Sequence, residues 1–202
     1  MSTTGTIVIS DRLWAPPSAR TQARIRIAIL VIGFALLTAA LAQFKITLSF
    51  TPVPITGQTL GVLLAGGALG WRAGAASQVA YWLMGLVLPF YSGGTHGWKI
   101  ATGTNFGYFV GFVAAAALVG YLAQRKQDRN FVSCLSAMAL ASFMIYVCGA
   151  GWLAYDLSIP VATGSTNAIS LGVTPFLIGD VIKLALAGAL LPAAWALAER
   201  NR

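Results

Sequence analysis

The sequence predicts an all-α membrane protein with six transmembrane helices and both termini in the cytoplasm. Hydrophobic residues make up 57% of the 202-residue chain and charged residues only 9%, whereas about 25% charged residues is usual in a soluble domain. The apolar residues form long segments, as helices that span a bilayer require. The basic residues lie almost entirely between alternate segments, and this asymmetry indicates the orientation.

The six apolar segments are separated by residues that membrane helices avoid. No charged residue occurs between Arg26 and Lys45, which delimits the first segment. A basic turn, Gly70-Trp71-Arg72, divides the second segment from the third, and the second is short for a span unless the preceding residues extend it or it is re-entrant. The Pro- and Gly-rich run 89–97 and the charged run 124–130 separate the later segments. The predicted helices cover residues 27–44, 59–69, 73–88, 101–123, 131–153 and 171–198.

Three parts follow one another along the chain. Residues 1–26 are polar and contain Pro16-Pro17, so we expect a short, poorly ordered cytoplasmic tail and not a signal peptide with an apolar core. Residues 27–198 are expected to form one six-helix membrane domain, and residues 199–202 a C-terminal tail. This length leaves no room for a separate ATPase or soluble enzyme domain.

Lysine and arginine are distributed unequally between the two sides of the predicted helices. The loops on one side hold only Lys45 and Lys99, whereas ten basic residues lie on the side of the termini. Basic loops remain in the cytoplasm, so we expect the termini there and assign these charges to membrane orientation, not to nucleic-acid binding. The ten residues are Arg12, Arg20, Arg24, Arg26, Arg72, Arg125, Lys126, Arg129, Arg200 and Arg202.

The opposite loops are polar and rich in proline and glycine, and they are expected to face the outside of the cell. The first, Lys45–Thr59, carries Gln58 and contains two prolines that favour extended backbone. The only histidine, His96, lies in a Gly-rich turn, where a solvated role is expected. The head of the predicted fourth helix supplies Asn105 and Tyr108 at the membrane boundary. These groups could line a pocket for a small, mostly apolar ligand.

Two ionisable residues lie inside the last apolar segment, Leu171–Pro192. Asp180 and Lys183 are three residues apart, so both side chains project from the same face of a helix. A charge in hydrocarbon costs roughly 2.5–3.5 kcal/mol even on a lenient scale, so the two groups must pair, face the protein interior or meet a ligand. A structural ion pair and a two-sided polar clamp for a ligand both satisfy this requirement.

Catalytic chemistry finds little support in the sequence. The lone histidine leaves no Ser/His/Asp set, and Cys134 and Cys148 would be separated by about 21 Å of helix, too far for a disulfide. An intramembrane enzyme with Asp180 as general base would need a second positioned acid, base or metal. A membrane anchor without transport activity would leave the Asp180 and Lys183 pair unexplained. On the first helix Ala35 and Ala39 form a small-residue face that could let another helix approach closely.

Three sequence blocks occur in order: VPITGQT (Val53–Thr59), GYFVGF (Gly107–Phe112) and TPFLIGDVIK (Thr174–Lys183). Together they resemble the signature blocks of the BioY family, the biotin-specific substrate-binding (S) components of energy-coupling-factor (ECF) transporters. The resemblance covers residues 27–198. In one place the chain departs from the family, with Thr-Asn-Phe-Gly-Tyr at 104–108 where members usually have Pro-Thr-Gly-Gly-Tyr. We therefore expect the external loop that helps to close the pocket to differ in shape.

The resemblance implies an S-component-like fold that binds biotin from outside the cell with high affinity, beneath the external loops. It implies that Asp180 accepts a hydrogen bond from a ureido N–H and that Lys183 donates to the ureido oxygen, or neutralises Asp180 in the empty site. Gln58 would offer a donor and an acceptor beside the covering loop. Asn105 and Tyr108 would line the mouth, near the valerate carboxylate. The alternatives are that Gln58 and Asn105 structure the loops and that Tyr108 is an interfacial aromatic.

The resemblance also implies a transporter subunit in the bacterial inner membrane, without a cofactor and without ATPase activity of its own. Through the Ala35 and Ala39 face it would dock on a transmembrane coupling subunit that bears two cytoplasmic ATPases. Some family members are proposed to work without this module. The alternative ligand is another vitamin, taken up by a related S component.

Overall fold

The computed structural model describes residues 7–200 and is mostly helical. The predictions that concern residues 1–6 and Arg202 therefore lie outside the described residues. Two short 3₁₀ turns, Ser92–Gly94 and Thr174–Phe176, occur in the connecting segments. The helices and strands are α1 (Ile9–Leu13), α2 (Arg20–Gln43), β1 (Lys45–Ile46), β2 (Ile55–Thr56), α3 (Gln58–Met84), α4 (Trp98–Ala101), α5 (Phe106–Gln124), α6 (Phe131–Asp156), α7 (Ala168–Gly172) and α8 (Leu177–Arg200).

Four parts of the described chain are long and apolar enough to cross a membrane, judged by length and composition. They are α2, α5, α6 and the segment Ala168–Arg200, which contains α7 and α8. Their side chains, together with those of α3, form one continuous hydrophobic core. The helical structure is consistent with the multi-pass membrane class that the composition predicts, with four candidate spans among the described residues.

Helix α3 is not straight but folds back on itself at Gly70. Gly70 has φ 80°, a value that favours glycine, and it separates helical residues 58–69 from 71–84. The side-chain amide of Gln58 donates a hydrogen bond to the Tyr81 hydroxyl at 2.7 Å, whereas a straight helix would place these residues about 34 Å apart. The turn predicted at 70–72 thus joins two antiparallel half-helices.

Small residues allow the α3 hairpin to pack closely against α5. A Cβ added to Gly66 would lie 2.5 Å from the Ala116 carbonyl oxygen, and one added to Gly120 would lie 2.3 Å from the carbonyl carbon of Gly70. Both contacts are with backbone atoms, which cannot move aside easily. Glycine at these positions is what brings the two elements together, as is common between membrane helices.

The segment before the first long helix is more ordered than the sequence predicts. Residues Val8 and Ile9 are buried at the start of α1, and α2 begins at Arg20 instead of residue 27. Arg26 is itself buried; its guanidinium lies 3.1 Å from the Asp11 carboxylate and donates to the Ser10 carbonyl at 2.7 Å. A buried cation needs such partners, and they can reach Arg26 only if this part of the tail folds against α2.

Several predicted boundaries are also displaced. The predicted fourth helix is interrupted by a turn at 102–105, so that α4 ends at Ala101 and α5 begins at Phe106. The predicted sixth helix is broken between Gly172 and Leu177, because Pro175 has no N–H to donate and clashes with the preceding helical turn. The third predicted helix ends at Met84 instead of 88.

The loop between α2 and α3 is closed by a short antiparallel pairing of β1 with β2. Lys45 pairs with Thr56 and Ile46 with Ile55. The sequence predicts extended backbone here, but not the pairing itself. The two strands hold the intervening residues 47–54 as a compact flap over one end of the helices.

The other end of the molecule is basic. Arg26 and Arg72 line one small cavity there, and Arg129 stacks on Trp195 with its guanidinium carbon 3.4 Å from the ring centre. The indole N–H of Trp195 donates to the Asp128 carboxylate. Burial raises the pKa of the Asp128 carboxyl above its ordinary value, although this hydrogen bond opposes the shift. These contacts attach the end of α8 to the loop between α5 and α6.

We expect Gly66→Ala to destabilise the protein by about 1–3 kcal/mol, because the added methyl group forces α3 away from the α5 backbone. Gly151→Ala is the matched control, since its added Cβ meets no described atom within 4 Å and alanine favours the helix. Thermal unfolding of both variants in detergent measures the difference. Equal stabilities for the two variants would contradict the close packing described for Gly66.

Candidate functional site

A cavity of about 300 Å³ opens at the end of the molecule opposite the basic residues. Its walls come from the β1–β2 flap, the first turn of α3, the loop that follows α3, and helices α5, α6 and α8. It contains three charged residues, Lys45, Asp180 and Lys183. The volume is at the lower end of the range typical of small-molecule sites.

The predicted pair lies on the wall of this cavity. Lys183 Nζ is 2.7 Å from Asp180 Oδ1, and the side chains are only 14% and 8% exposed. Asp180 occupies the first turn of α8, where unpaired N–H groups favour a negative charge. The break before α8 thus places the carboxylate at a helix start and at the cavity wall.

Two further hydroxyl groups contact Asp180, and sequence reasoning missed both. The Tyr146 hydroxyl, from α6, donates to Oδ2 at 2.5 Å. Thr59, from α3, donates to Oδ1 at 3.4 Å. A buried carboxylate usually accepts hydrogen bonds from more than one donor, so further donors to Asp180 could have been expected. Sequence alone could not tell which tyrosine would supply one.

Gln58 lines the cavity, but its side-chain amide is engaged within the protein. Its oxygen accepts a hydrogen bond from the Thr56 hydroxyl at 2.6 Å, and its nitrogen donates to the Tyr81 hydroxyl at 2.7 Å. Gln58 therefore ties β2 to both halves of α3. A second amide hydrogen and one oxygen lone pair are left for a ligand.

Asn105 is the most available polar group of the predicted set. It precedes the first residue of α5, yet its side chain makes no capping hydrogen bond to the described backbone. Its Oδ1 atom is buried and lacks a hydrogen-bond partner within residues 7–200. Since buried polar atoms nearly always find a partner, Asn105 is a strong candidate for a ligand contact.

Tyr108 is buried, only 9% exposed, which is inconsistent with the alternative of an interfacial aromatic. Its hydroxyl donates to the Gly172 carbonyl at 2.7 Å, which attaches the end of α7 to α5. Its ring lines the cavity. Tyr108 can therefore offer a ligand its ring, while its hydroxyl hydrogen is already used.

The small-residue face of α2 points into the protein. Ala35 is 0% exposed and Ala39 is 3% exposed, and both belong to the hydrophobic core. On the same face, Thr38 contacts Gly61 of α3. A Cβ added to Gly61 would lie 2.9 Å from the Thr38 hydroxyl oxygen. The face thus packs α2 on α3, and the two methyl groups are covered within the chain.

The cavity combines aromatic walls with the polar groups described above. Aromatic rings line it, among them Phe109 and Phe112 of α5 and Phe176 before α8. Tyr91 joins them from the loop after α3; burial raises its pKa to about 12, so its hydroxyl stays protonated and donates to the Trp82 carbonyl at 2.6 Å.

Among residues 7–200 no group of three His, Cys, Asp or Glu side chains could hold a metal ion. This arrangement can bind a small apolar molecule through hydrogen bonds at its ends.

Comparison with known proteins identifies relatives over nearly the whole chain. Residues 17–200 match the model of the BioY family. The chain is 36% identical to the biotin transporter BioY of Rhizobium etli over 173 residues, which are 80% of this chain and 89% of that protein. It is 34% identical to the probable biotin transporter BioY of Pyrococcus horikoshii, over 78% of this chain and 89% of that protein.

The fold is also similar to a solved structure, the S-component for biotin from an ECF-type ABC transporter. The two superpose with a TM-score of 0.76 at 26% identity, covering 88% of this chain and 94% of the other. The family model spans the cavity, the paired charges and all the helices that carry them. This chain therefore belongs to the BioY family.

Proposed function

We propose that this protein binds biotin from outside the cell and mediates its uptake as the substrate-specific subunit of an ECF-type transporter. The observation that carries the proposal is the Asp180–Lys183 pair on the wall of a cavity of suitable size, in a member of the BioY family. Biotin has a ureido ring with two N–H donors and one carbonyl acceptor, an apolar ring and chain, and a terminal carboxylate. Each of these parts finds a chemical counterpart in the cavity.

The ureido ring suits the charged pair. Asp180 accepts a hydrogen bond from a ureido N–H, and Lys183 donates to the ureido oxygen. Tyr146 and Thr59 already donate to the carboxylate, so its orientation is fixed by the protein itself. The apolar parts of biotin pack on the aromatic rings of α5. Gln58 and Asn105 supply further hydrogen bonds, and Tyr108 supplies a wall.

In our proposal, the energy for transport comes from other subunits and not from this chain. We propose that it acts with a transmembrane coupling subunit and two ATPases, as the resemblance to an ECF S-component suggests. The burial of Ala35 and Ala39 favours a contact through the opposite, exposed side of α2. That side bears Gly33 and Leu36 among other apolar residues.

We further propose six membrane crossings with both termini in the cytoplasm. The two halves of α3 are each shorter than the roughly 20 residues that a full span needs, so the β1–β2 flap and the segments next to the hairpin complete these crossings. The grouping of Arg26, Arg72 and Arg129 at the end away from the cavity supports this orientation.

Biotin binding is expected to depend on both members of the pair. We expect Asp180→Asn and Lys183→Met each to weaken biotin binding more than a hundredfold, equivalent to about 3 kcal/mol, and to lower thermal stability, because each leaves an uncompensated buried group. The double variant should regain stability without regaining affinity. Calorimetric titration and thermal unfolding in detergent measure both, with Asp156→Asn, an exposed aspartate, as control. A double variant that binds biotin as tightly as the parent would contradict the clamp hypothesis. If the parent protein binds another vitamin and not biotin, the ligand assignment is wrong.

The hydroxyl of Tyr146 should contribute through Asp180. We expect Tyr146→Phe to weaken biotin binding about tenfold, since a hydrogen bond to a charged group is lost while the ring is kept. Tyr155→Phe on the same helix is the matched control, because Tyr155 is 77% exposed. Affinities that do not differ between the two variants would show that Tyr146 does not support the site.

Membrane orientation can be tested by cysteine labelling in a variant without the two native cysteines, Cys134 and Cys148, which are both free. A membrane-impermeant thiol reagent should label His96→Cys from outside intact cells, and should label Gln127→Cys only after permeabilisation. Both positions are exposed, so access to the reagent depends on the side of the membrane. External labelling of the Gln127 variant would contradict the proposed orientation.

A further inference from the structure

The mouth of the cavity carries a cation that no carboxylate of residues 7–200 neutralises. Lys45, the first residue of β1, lines the cavity and is exposed. The ion pairs found within residues 7–200 involve other basic residues, and Lys183 is already paired with Asp180. The three charged residues that line the cavity therefore leave a net charge of +1, located at its mouth.

The position of Lys45 is set by two separate loops. Its backbone is held by the pairing with Thr56. Its side chain lies across the turn Ser92–Gly94, where a Cβ added to Gly93 would be 2.9 Å from Nζ and 3.0 Å from Cδ. Gly93 has φ 67°, a backbone conformation that favours glycine. Because glycine has no Cβ, the turn also leaves room for the lysine side chain. The ammonium group is thus held beside the loop that follows α3.

A second unused polar atom belongs to the turn that the Lys45 side chain crosses. The hydroxyl oxygen of Ser92 is buried and has no hydrogen-bond partner among the described residues, and Ser92 also lines the cavity. A buried hydroxyl without a partner is unfavourable unless a ligand or solvent completes it. Two donors, one charged and one neutral, therefore line the cavity at this turn, and neither has an acceptor among residues 7–200.

We infer that Lys45 and Ser92 form the site for the carboxylate of the ligand; the inference rests on the proposed function. An ammonium and a hydroxyl group are suitable donors for a carboxylate. The residues expected there from the resemblance fit less well. The Tyr108 hydroxyl hydrogen is given to Gly172, and the unpartnered atom of Asn105 is an acceptor, which repels a carboxylate and suits a ligand N–H.

This assignment makes the ligand a bridge between the flap and the loop after α3. A carboxylate bound by Lys45 and Ser92 touches both, while the ureido end contacts α8. At the mouth, Lys45 and Ser92 would then favour acids over neutral analogues. At the base, Asp180 and Lys183 would favour rings that form hydrogen bonds. The two kinds of recognition are carried by different residues, so they can be separated by mutation.

The test compares biotin with biotinamide, which keeps the rings and chain but has no charge. Titration of the purified protein should show wild type binding biotin about tenfold more tightly than biotinamide, the effect of one charge-assisted hydrogen bond. Lys45→Met should bind biotin as weakly as biotinamide and leave biotinamide binding unchanged. Ser92→Ala should reduce the preference for biotin by a smaller factor, and Lys45→Arg should retain most of it.

Lys99→Met is the matched control, because Lys99 is exposed at the same end but does not line the cavity. If Lys45→Met weakens both ligands equally, or neither, the inference is overturned while biotin binding stands. If wild type binds neither ligand, the proposed function fails and this inference fails with it.

Discussion

Asp180 is a buried carboxylate in an apolar helix, and several elements of the structure are arranged around it. Lys183 is supplied by the next turn of α8, Tyr146 by α6 and Thr59 by α3. An isolated buried carboxylate would be strongly unfavourable, so these three helices must meet near it. The break at Pro175 contributes, because it starts α8 where Asp180 can occupy the first turn.

Close glycine contacts hold the helices together at both ends of the molecule. Near the basic end, Gly66, Gly70 and Gly120 bring α3 and α5 into backbone contact. Toward the opposite end, Gly107 and Gly111 bring α5 equally close to the backbone of α6. Aromatic residues of the same helix, Phe109 and Phe112, line the cavity. Helix α5 thus contributes small residues to the helix contacts and large rings to the cavity wall.

Sequence patterns were sufficient for features that depend on local spacing. The apolar segments, the turn at Gly70 and the shared face of Asp180 and Lys183 follow from periodicity and composition, and the structure contains them. Features that depend on distant partners were not accessible. A tyrosine inside an apolar helix gives no sign that it will reach Asp180, and the polar N-terminal segment gives no sign that its aspartate will pair with a buried arginine. The spacing of Ala35 and Ala39 indicates a face suited to close helix packing, but only the fold shows that this face of α2 packs on α3.

The distribution of charge along the cavity suits a protein that must bind its ligand and later release it. At the base, Asp180 has its own cation and two hydroxyl donors, so departure of a ligand leaves no unpaired buried charge. At the mouth, Lys45 is exposed and can be hydrated when the site is empty. Neither state therefore carries a large electrostatic penalty. The preference for the bound state then depends on the hydrogen bonds and apolar contacts of the ligand itself.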